Sequence, residues 1–348
     1  MNKLISIIMT LVLGVVTLVT VPAYAEEKVV RIGFPGATTS RPQSGLGWGY
    51  VQAKHLFDEE FKKDGWTIDY NYIAAAGPGV NEGLANNSLD FGFHGDLPVL
   101  AARSNGLKIK ALGAVRGGTS HLLVPTNSHI KTIKDLKGKR VGVSVGTWTH
   151  ALLLKVLQDN GMTIKDLKVI NTSGTAFETS LATGDIEAGF GSLSLIRRGV
   201  AREIWSTVGK HVRYQNTNTF VVREEFLRKH PDIVKRLVKV FVKGFYQASL
   251  NKNETLKFNT RTGTALADLI EENAGQSIKY LTSPKLDGQV TKQYKDSLAL
   301  FKENGLIRRN FDPEAELYDR SYLDAALKEL KLENHWPDYD SNGNPIKK

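Results

Sequence analysis

Residues 130–161, IKTIKDLKGKRVGVSVGTWTHALLLKVLQDNG, decide the reading of the fold. A short apolar strand over 140–145 runs through Gly146 straight into a polar helix start. Gly146 lets the backbone approach a ligand closely, and Thr147 and Thr149 can cap or donate. The first free N–H groups of a helix beginning at Trp148 point outward with partial positive charge, an arrangement suited to an anion. The same pattern recurs upstream. Residues 31–35 lead to Gly45, Gly47 and Trp48, residues 68–74 lead to Gly77-Pro78-Gly79, and residues 89–93 lead to Gly95-Asp96-Leu97-Pro98. Four helix N-termini behind four strand ends predict one shared pocket.

Working outward, strands near 29–34, 67–74, 89–93 and 110–115 alternate with helices over 48–62, 80–86 and 98–104. Such alternation predicts a parallel α/β sheet covered on both faces. Residues 122–125 read as a strand crossing into a second lobe. There the pattern restarts with strands at 140–145, 168–171 and 187–190 and helices at 149–160 and 177–183. Residues 219–223 read as a return crossing, after which the chain is largely helical. Pro231 stands near the start of a helix whose Ile233, Leu237, Phe241 and Phe245 share one face. Further helices are expected at 263–272, 287–304 and 318–330, with a polar, loose tail from Asp338. The expected division is a first lobe over 26–121 and 220–337, a second lobe over 122–219, and a tail over 338–348. Open α/β sheets bind ligands beyond the carboxyl ends of their strands, which here is the cleft between the lobes.

Composition narrows the class. Asn2 and Lys3 precede an uncharged run over 4–21 and then Pro22-Ala23-Tyr24-Ala25, the form of a secretory signal cleaved after Ala25. The run is long enough to span a bilayer, and the Ala-x-Ala site favours cleavage over an anchor. No cysteine is present, so neither a lipid-attachment cysteine nor a disulfide framework is available. A soluble protein of the bacterial periplasm fits best. Without residues 1–25, 323 residues remain, enough for two lobes, with 45 basic against 36 acidic side chains. That excess favours anionic partners, but its densest runs, at 223–229 and at Lys235, Arg236, Lys239 and Lys243, alternate with apolar residues as on a solvated helix face. No basic motif interleaved with aromatics supports nucleic-acid binding.

Individual motifs divide between chemistry and scaffold. Gly142-Val143-Ser144-Val145-Gly146 matches the G-x-S-x-G nucleophile elbow, so a secreted serine hydrolase using Ser144 is the alternative from another class. No oxyanion glycine cluster precedes it, and triad partners could be taken only arbitrarily from Asp159, Asp185, His211, His230 and His335. Ser144 is therefore read as a strand-end residue, and the chain as no enzyme. Asp338-x-Asp340-x-Asn342-Gly343 copies the opening of a calcium loop, but its twelfth position would be residue 349. Histidine spacing builds no metal site, Gly45-x-Gly47-x-Gly49 is not a dinucleotide pattern, and no cofactor is expected. Arg116, just past the strand at 110–115, could grip an oxyanion with two donors or be a surface arginine. Arg41, in the polar loop over 38–44, has the same ambiguity. Trp48 and Trp148, both at helix starts, could pack on an apolar ligand tail or belong to the core.

The order of these motifs resembles the periplasmic substrate-binding proteins of ABC importers, in the aliphatic sulfonate, taurine and nitrate group. The resemblance rests on Ala75-Ala76-Gly77-Pro78, on Leu89-Asp90-Phe91-Gly92 with Gly95-Asp96-Leu97-Pro98, on 133–138 followed by 142–150, and on Asn304-Gly305-Leu306-Ile307. It implies a two-lobed type II binding protein, each lobe a mixed or parallel sheet flanked by helices, closing about two crossing strands. It also implies a permease of the inner membrane as partner, a monomer, and ligand contacts at Trp48, Gly77, Pro78, Asp96, Gly146, Thr147, Trp148, Thr149 and His150. Two places depart from the group. Gly191-Ser192-Leu193-Ser194 stands where many relatives carry W-D-P, which makes Ser192 the candidate there. Arg116 stands where the sulfonate group often has an acid. The expected ligand is accordingly a sulfonate or sulfate ester without positive charge, with taurine, nitrate or a thiamine precursor as alternatives of the same class. Asp96 is expected to cap its helix or orient Arg116 or a ligand hydroxyl, and Phe190 to help cover the organic part.

Overall fold

Ten strands form two five-stranded sheets in the computed structural model, which describes residues 27–36, 45–210 and 212–346. The signal segment, Arg41 and the loop over 38–44 lie outside these residues, as do His211 and the last two.

The first sheet is built from β1 (Val29–Pro35), β2 (Thr67–Ile73), β3 (Phe91–His94) and β4 (Ile109–Arg116). Between them lie α1 (Leu46–Ala53), α2 (Leu56–Phe61), α3 (Ala76–Ala85) and α4 (Asp96–Ser104). The second sheet takes β5 (His121–Pro125), β6 (Arg140–Val143), β7 (Lys168–Asn171), β8 (Ala188–Gly191) and β9 (Ala201–Ser206), with α5 (Trp148–Asp159), α6 (Gly174–Thr183) and α7 (Leu193–Arg197). The chain then returns through β10 (Thr217–Arg223) to α8 (Glu224–Lys229), α9 (Pro231–Leu250), α10 (Lys252–Asn259) and α11 (Leu266–Glu272). It ends in α12 (Ile278–Leu281), α13 (Gly288–Glu303) and α14 (Ser321–Glu329).

Strand orders are β2-β1-β3-β10-β4 and β7-β6-β8-β5-β9, with β10 and β5 antiparallel to their neighbours and the other pairs parallel. The alternation of strand and helix therefore produced the α/β fold it predicts. The crossings differ from expectation. Residues 122–125 and 219–223 are strands within the two sheets, and the chain passes between sheets in the loops 117–120 and 207–216. β9 has no counterpart in the sequence reading: it is a half-exposed strand beside β5, and its register shift interrupts any clean alternation of apolar and polar residues.

Apolar burial explains the helical C-terminal part. Ile233, Leu237, Phe241 and Phe245 of α9 are all buried, in one cluster with Phe34, Trp48, Phe93 and Phe220. α9 begins with Pro231 at its first turn, where a missing N–H costs nothing. The expected helix over 48–62 is two helices, broken at His55, whose left-handed φ of 51° ends the first. The tail is not loose over its described part. Tyr339 is buried edge-on to Tyr280, and its carbonyl accepts from Gln289 N at 3.2 Å. Asp340 Oδ1 accepts from the amides of Asn342 and Asn344, so the calcium-like motif is a self-bonded turn.

Candidate functional site

The strand-to-helix turns meet at one cavity of about 300 Å³. Its wall includes the starts of all four expected helices: Gly45 with Leu46, Ala76 with Gly77, Gly95, and Thr147 with Trp148. At α1, α3 and α5 no side chain is bonded to the first-turn amides, while at α4 the Leu97 amide donates to Asp96 Oδ1 at 2.8 Å. Each start therefore offers N–H groups with no intrahelical acceptor, on the positive end of a helix dipole. Ala76 adopts φ 54°, which is disfavoured for a residue with a Cβ, at the point where α3 meets the cavity.

Two glycines allow close approach at the cavity, Gly146 across the lobes and Gly77 within the first lobe. Gly146 has φ 80°, and a Cβ there would stand 3.0 Å from Pro78 Cγ, so the turn before α5 rests on the start of α3. At Gly77 a Cβ would fall 2.5 Å from Pro98 Cγ, which lets the starts of α3 and α4 lie side by side.

The second lobe contributes Thr147 and Trp148 to the wall. Trp148 is 9% exposed, and its Nε1–H is buried without a partner, an unused donor. The Thr147 hydroxyl donates to Ser144 O at 2.7 Å and contacts Thr149 Oγ1 at 3.0 Å, which leaves the helix amides free. Thr149 and His150 lie behind the wall. His150 is buried, its pKa lowered by burial, and its Nδ1 accepts from Gly146 N at 3.3 Å, so it pins the turn.

Several expected contacts take other roles. Trp48 is fully buried, stacked on Phe34 and tilted against Phe93, so it belongs to the core, and Gly45 and Leu46 hold the wall in its place. Phe190 packs edge-on against Trp205 in the second lobe. Ser192 precedes α7 with its hydroxyl 2.6 Å from Ser194 Oγ and does not reach the cavity. Pro78 touches Gly146 rather than the wall.

Arg116 lines the cavity but is not a free fork. It is 1% exposed, with Nη2 2.6 Å from Asp287 Oδ2, Nη1 3.0 Å from Gln289 Oε1, and the Tyr280 ring 4.7 Å from its Cζ. Burial works against its charge, but Asp287 and the tyrosines outweigh it and raise the pKa further. Only Nε lacks a partner. Asp96 likewise neither lines the cavity nor bonds Arg116. Fully buried, it accepts from Lys155 Nζ at 2.7 Å and Ser297 Oγ at 3.0 Å, with Leu97 N on its other oxygen. Lys155 comes from α5, so this buried pair joins the lobes and neutralises a carboxylate at an anion-facing helix start.

Other wall residues were not legible as site residues. His94 Nε2 lies 2.8 Å from Asn81 Oδ1, and Asn81 Nδ2 donates to Pro98 O, so Nε2 must carry the proton. Burial lowers the His94 pKa to about 3, and its unprotonated Nδ1 has no partner. Asn216, Asn218, Asn259, Glu272 and Asn273 also line the cavity. The first two stand in a polar run at the start of β10 that could have been noticed. The others come from the C-terminal helices, whose sequence carries no strand-to-helix turn. Above them, Arg197 of α7 pairs with Asp268 and, at 2.7 Å, with Glu271, bridging second lobe to α11.

Two sheets flanked by helices around an interlobe cavity define the fold of periplasmic binding proteins. The chain belongs to the NMT1/THI5 like family, whose profile matches residues 61–255. The solved structure of a periplasmic sulfonate-binding protein from Methylobacillus flagellatus KT superposes with TM-score 0.76 and 28% identity, covering 90% of this chain and 98% of that one. A Bacillus subtilis (strain 168) protein bearing the name aliphatic sulfonates-binding protein is 29% identical over 200 residues, 56% of this chain and 59% of its own length. The taurine-binding periplasmic protein of Escherichia coli (strain K12) is 27% identical over 271 residues, 74% of this chain and 83% of its own length. No helix of the described residues is long and apolar enough to cross a membrane.

Proposed function

We propose that the chain is the solute-binding component of an ABC importer, exported to the periplasm with cleavage after Ala25. It captures an organosulfur oxyanion, a sulfonate or sulfate ester, between its lobes and as a monomer delivers the closed complex to a membrane permease. The observation that carries this reading is the convergence of four helix starts on one cavity, three of them with no side chain on their first-turn amides. A sulfonate is charged at all ordinary pH, so its site needs donors rather than a proton-transfer group.

The magnitudes agree with reversible capture. A helix N-terminus contributes about 0.3–1 kcal/mol, up to about 2 when partly buried, and a charge-assisted hydrogen bond about 1.5–3. Several such donors, with Trp148 Nε1 and Arg116 Nε unpaired beside them, reach the order of the ~8 kcal/mol that micromolar binding requires. Ordering and desolvation subtract from that gross sum. Hinge closure over the loops 117–120 and 207–216 would exclude water from the anion.

Calorimetry with alkanesulfonates, alkyl and aryl sulfates and nitrate tests the reading. Micromolar binding of at least one organosulfur oxyanion is expected, and failure of every one would overturn it. The hydrolase alternative has no geometric support: among the described residues no hydrogen bond joins Ser144 to a histidine, and His150 is engaged by Gly146. A fluorophosphonate probe is expected to leave Ser144 unlabelled.

A further inference from the structure

The cavity has an accepting side that an oxyanion alone does not use. Glu272, the last residue of α11, lines it, and among the described residues no ion pair or side-chain hydrogen bond engages its carboxylate. The adjoining Asn273 is 3% exposed, and its Nδ2 donates to Leu269 O at 2.8 Å. That bond fixes the amide orientation and leaves Oδ1 without a partner, beside Gly118 in the same wall. Two acceptors are thus held at one place, one of them a carboxyl group.

From this juxtaposition we infer that the ligand carries a cationic, hydrogen-donating group, such as a primary ammonium, which docks on the Glu272 carboxylate and Asn273 Oδ1 while the oxyanion occupies the helix starts. The inference rests on the oxyanion reading and narrows it to zwitterionic ligands. One of the reasons for expecting an uncharged tail was a free Arg116, and that guanidinium is committed to Asp287.

The surroundings favour a cation at this point. Burial raises the Glu272 pKa to about 7, helped by Asp268 and Glu271 on its own helix. Those two acids are held by Arg197 of α7, and Lys252 of α10 donates to the carbonyls of Asn273 and Gln276. Arg116 of β4 is paired with Asp287, while His121 of β5 contacts Thr119 and pairs with Glu203 of β9. A ligand ammonium would favour the charged carboxylate and draw its proton off.

The test compares 3-aminopropane-1-sulfonate with butane-1-sulfonate, in which a methyl group replaces the ammonium. Calorimetry at pH 8 should find the amino ligand at least tenfold tighter. At pH 6 that advantage should shrink, because Glu272 is then largely protonated. Glu272→Gln, nearly isosteric, should bring the two affinities together by weakening the amino ligand and tightening the other. Net proton release when the wild type binds the amino ligand at pH 7, read from buffers of different ionisation enthalpy, supplies a measurement independent of the variant. Equal affinities in the wild type, or an unchanged ratio in Glu272→Gln, would overturn the inference and leave the oxyanion reading standing. Binding of neither sulfonate would remove both.

Discussion

Arg116 and Asp96 stand at carboxyl ends of strands or just beyond, where a polar residue reads as a ligand contact. Both instead have buried partners remote in the chain, Asp287 for Arg116 and Lys155 with Ser297 for Asp96. Nothing local in the sequence announces a partner 171 positions away. Removing one member of a buried pair strands the other charge and typically costs about 3–5 kcal/mol. Arg116→Ala is therefore expected to lower unfolding stability in urea by that order, and a loss below about 1 kcal/mol would show the pair to be dispensable. His94 gives a prediction in pH. It is neutral in the fold down to about pH 3, whereas in the unfolded chain it takes a proton near pH 6.5. As pH falls between those values the unfolded state binds more protons, so stability falls by up to about 1.4 kcal/mol per unit from this group. His94→Gln should flatten that limb in denaturation measured between pH 6.5 and 4; an unchanged slope would mean His94 is protonated in the fold.

Among the elements, strand-to-helix turns were legible because a glycine between an apolar strand and a polar helix start has one main structural use. The order and kind of most elements follow from that pattern, and so does the convergence of the helix starts on one cavity. What was not legible has physical causes. β9 is a half-exposed edge with a register shift, α1 and α2 are parted by a single left-handed histidine, and Trp48 is stacked into a core that a helix start does not reveal. The turn before α5 can be tested alone. Gly146→Ala places a Cβ at φ 80°, a strain of about 1–2 kcal/mol, and presses it toward Pro78. Sulfonate affinity should fall at least tenfold while far-UV circular dichroism stays native. Full affinity would mean that the start of α3 and this turn need not touch in the bound state.

On the scale of the molecule, Asp96–Lys155 and the two pairs of Arg197 join the lobes in different ways. Asp96–Lys155 is buried and constrains how the lobes pack, whereas Arg197 is 46% exposed and spans from α7 to α11 beside the cavity. The Arg197–Glu271 contact is exposed on both sides and contributes only about 0–1 kcal/mol. Asp268, however, is 3% exposed, so Arg197→Ala strands a buried carboxylate and should lower unfolding stability measurably. It should speed ligand release several-fold in stopped-flow tryptophan fluorescence, with Trp148 in the cavity wall as reporter. Unchanged release would take Arg197 out of the closing contacts. The central claim is that the converging helix starts hold an oxyanion. The most direct measurement is a crystal structure of the protein with 3-aminopropane-1-sulfonate or butane-1-sulfonate, whichever binds. The account predicts the sulfonate oxygens within hydrogen-bonding distance of first-turn amides of both α3 and α5. A sulfonate seated elsewhere, with those amides turned to water, would contradict it.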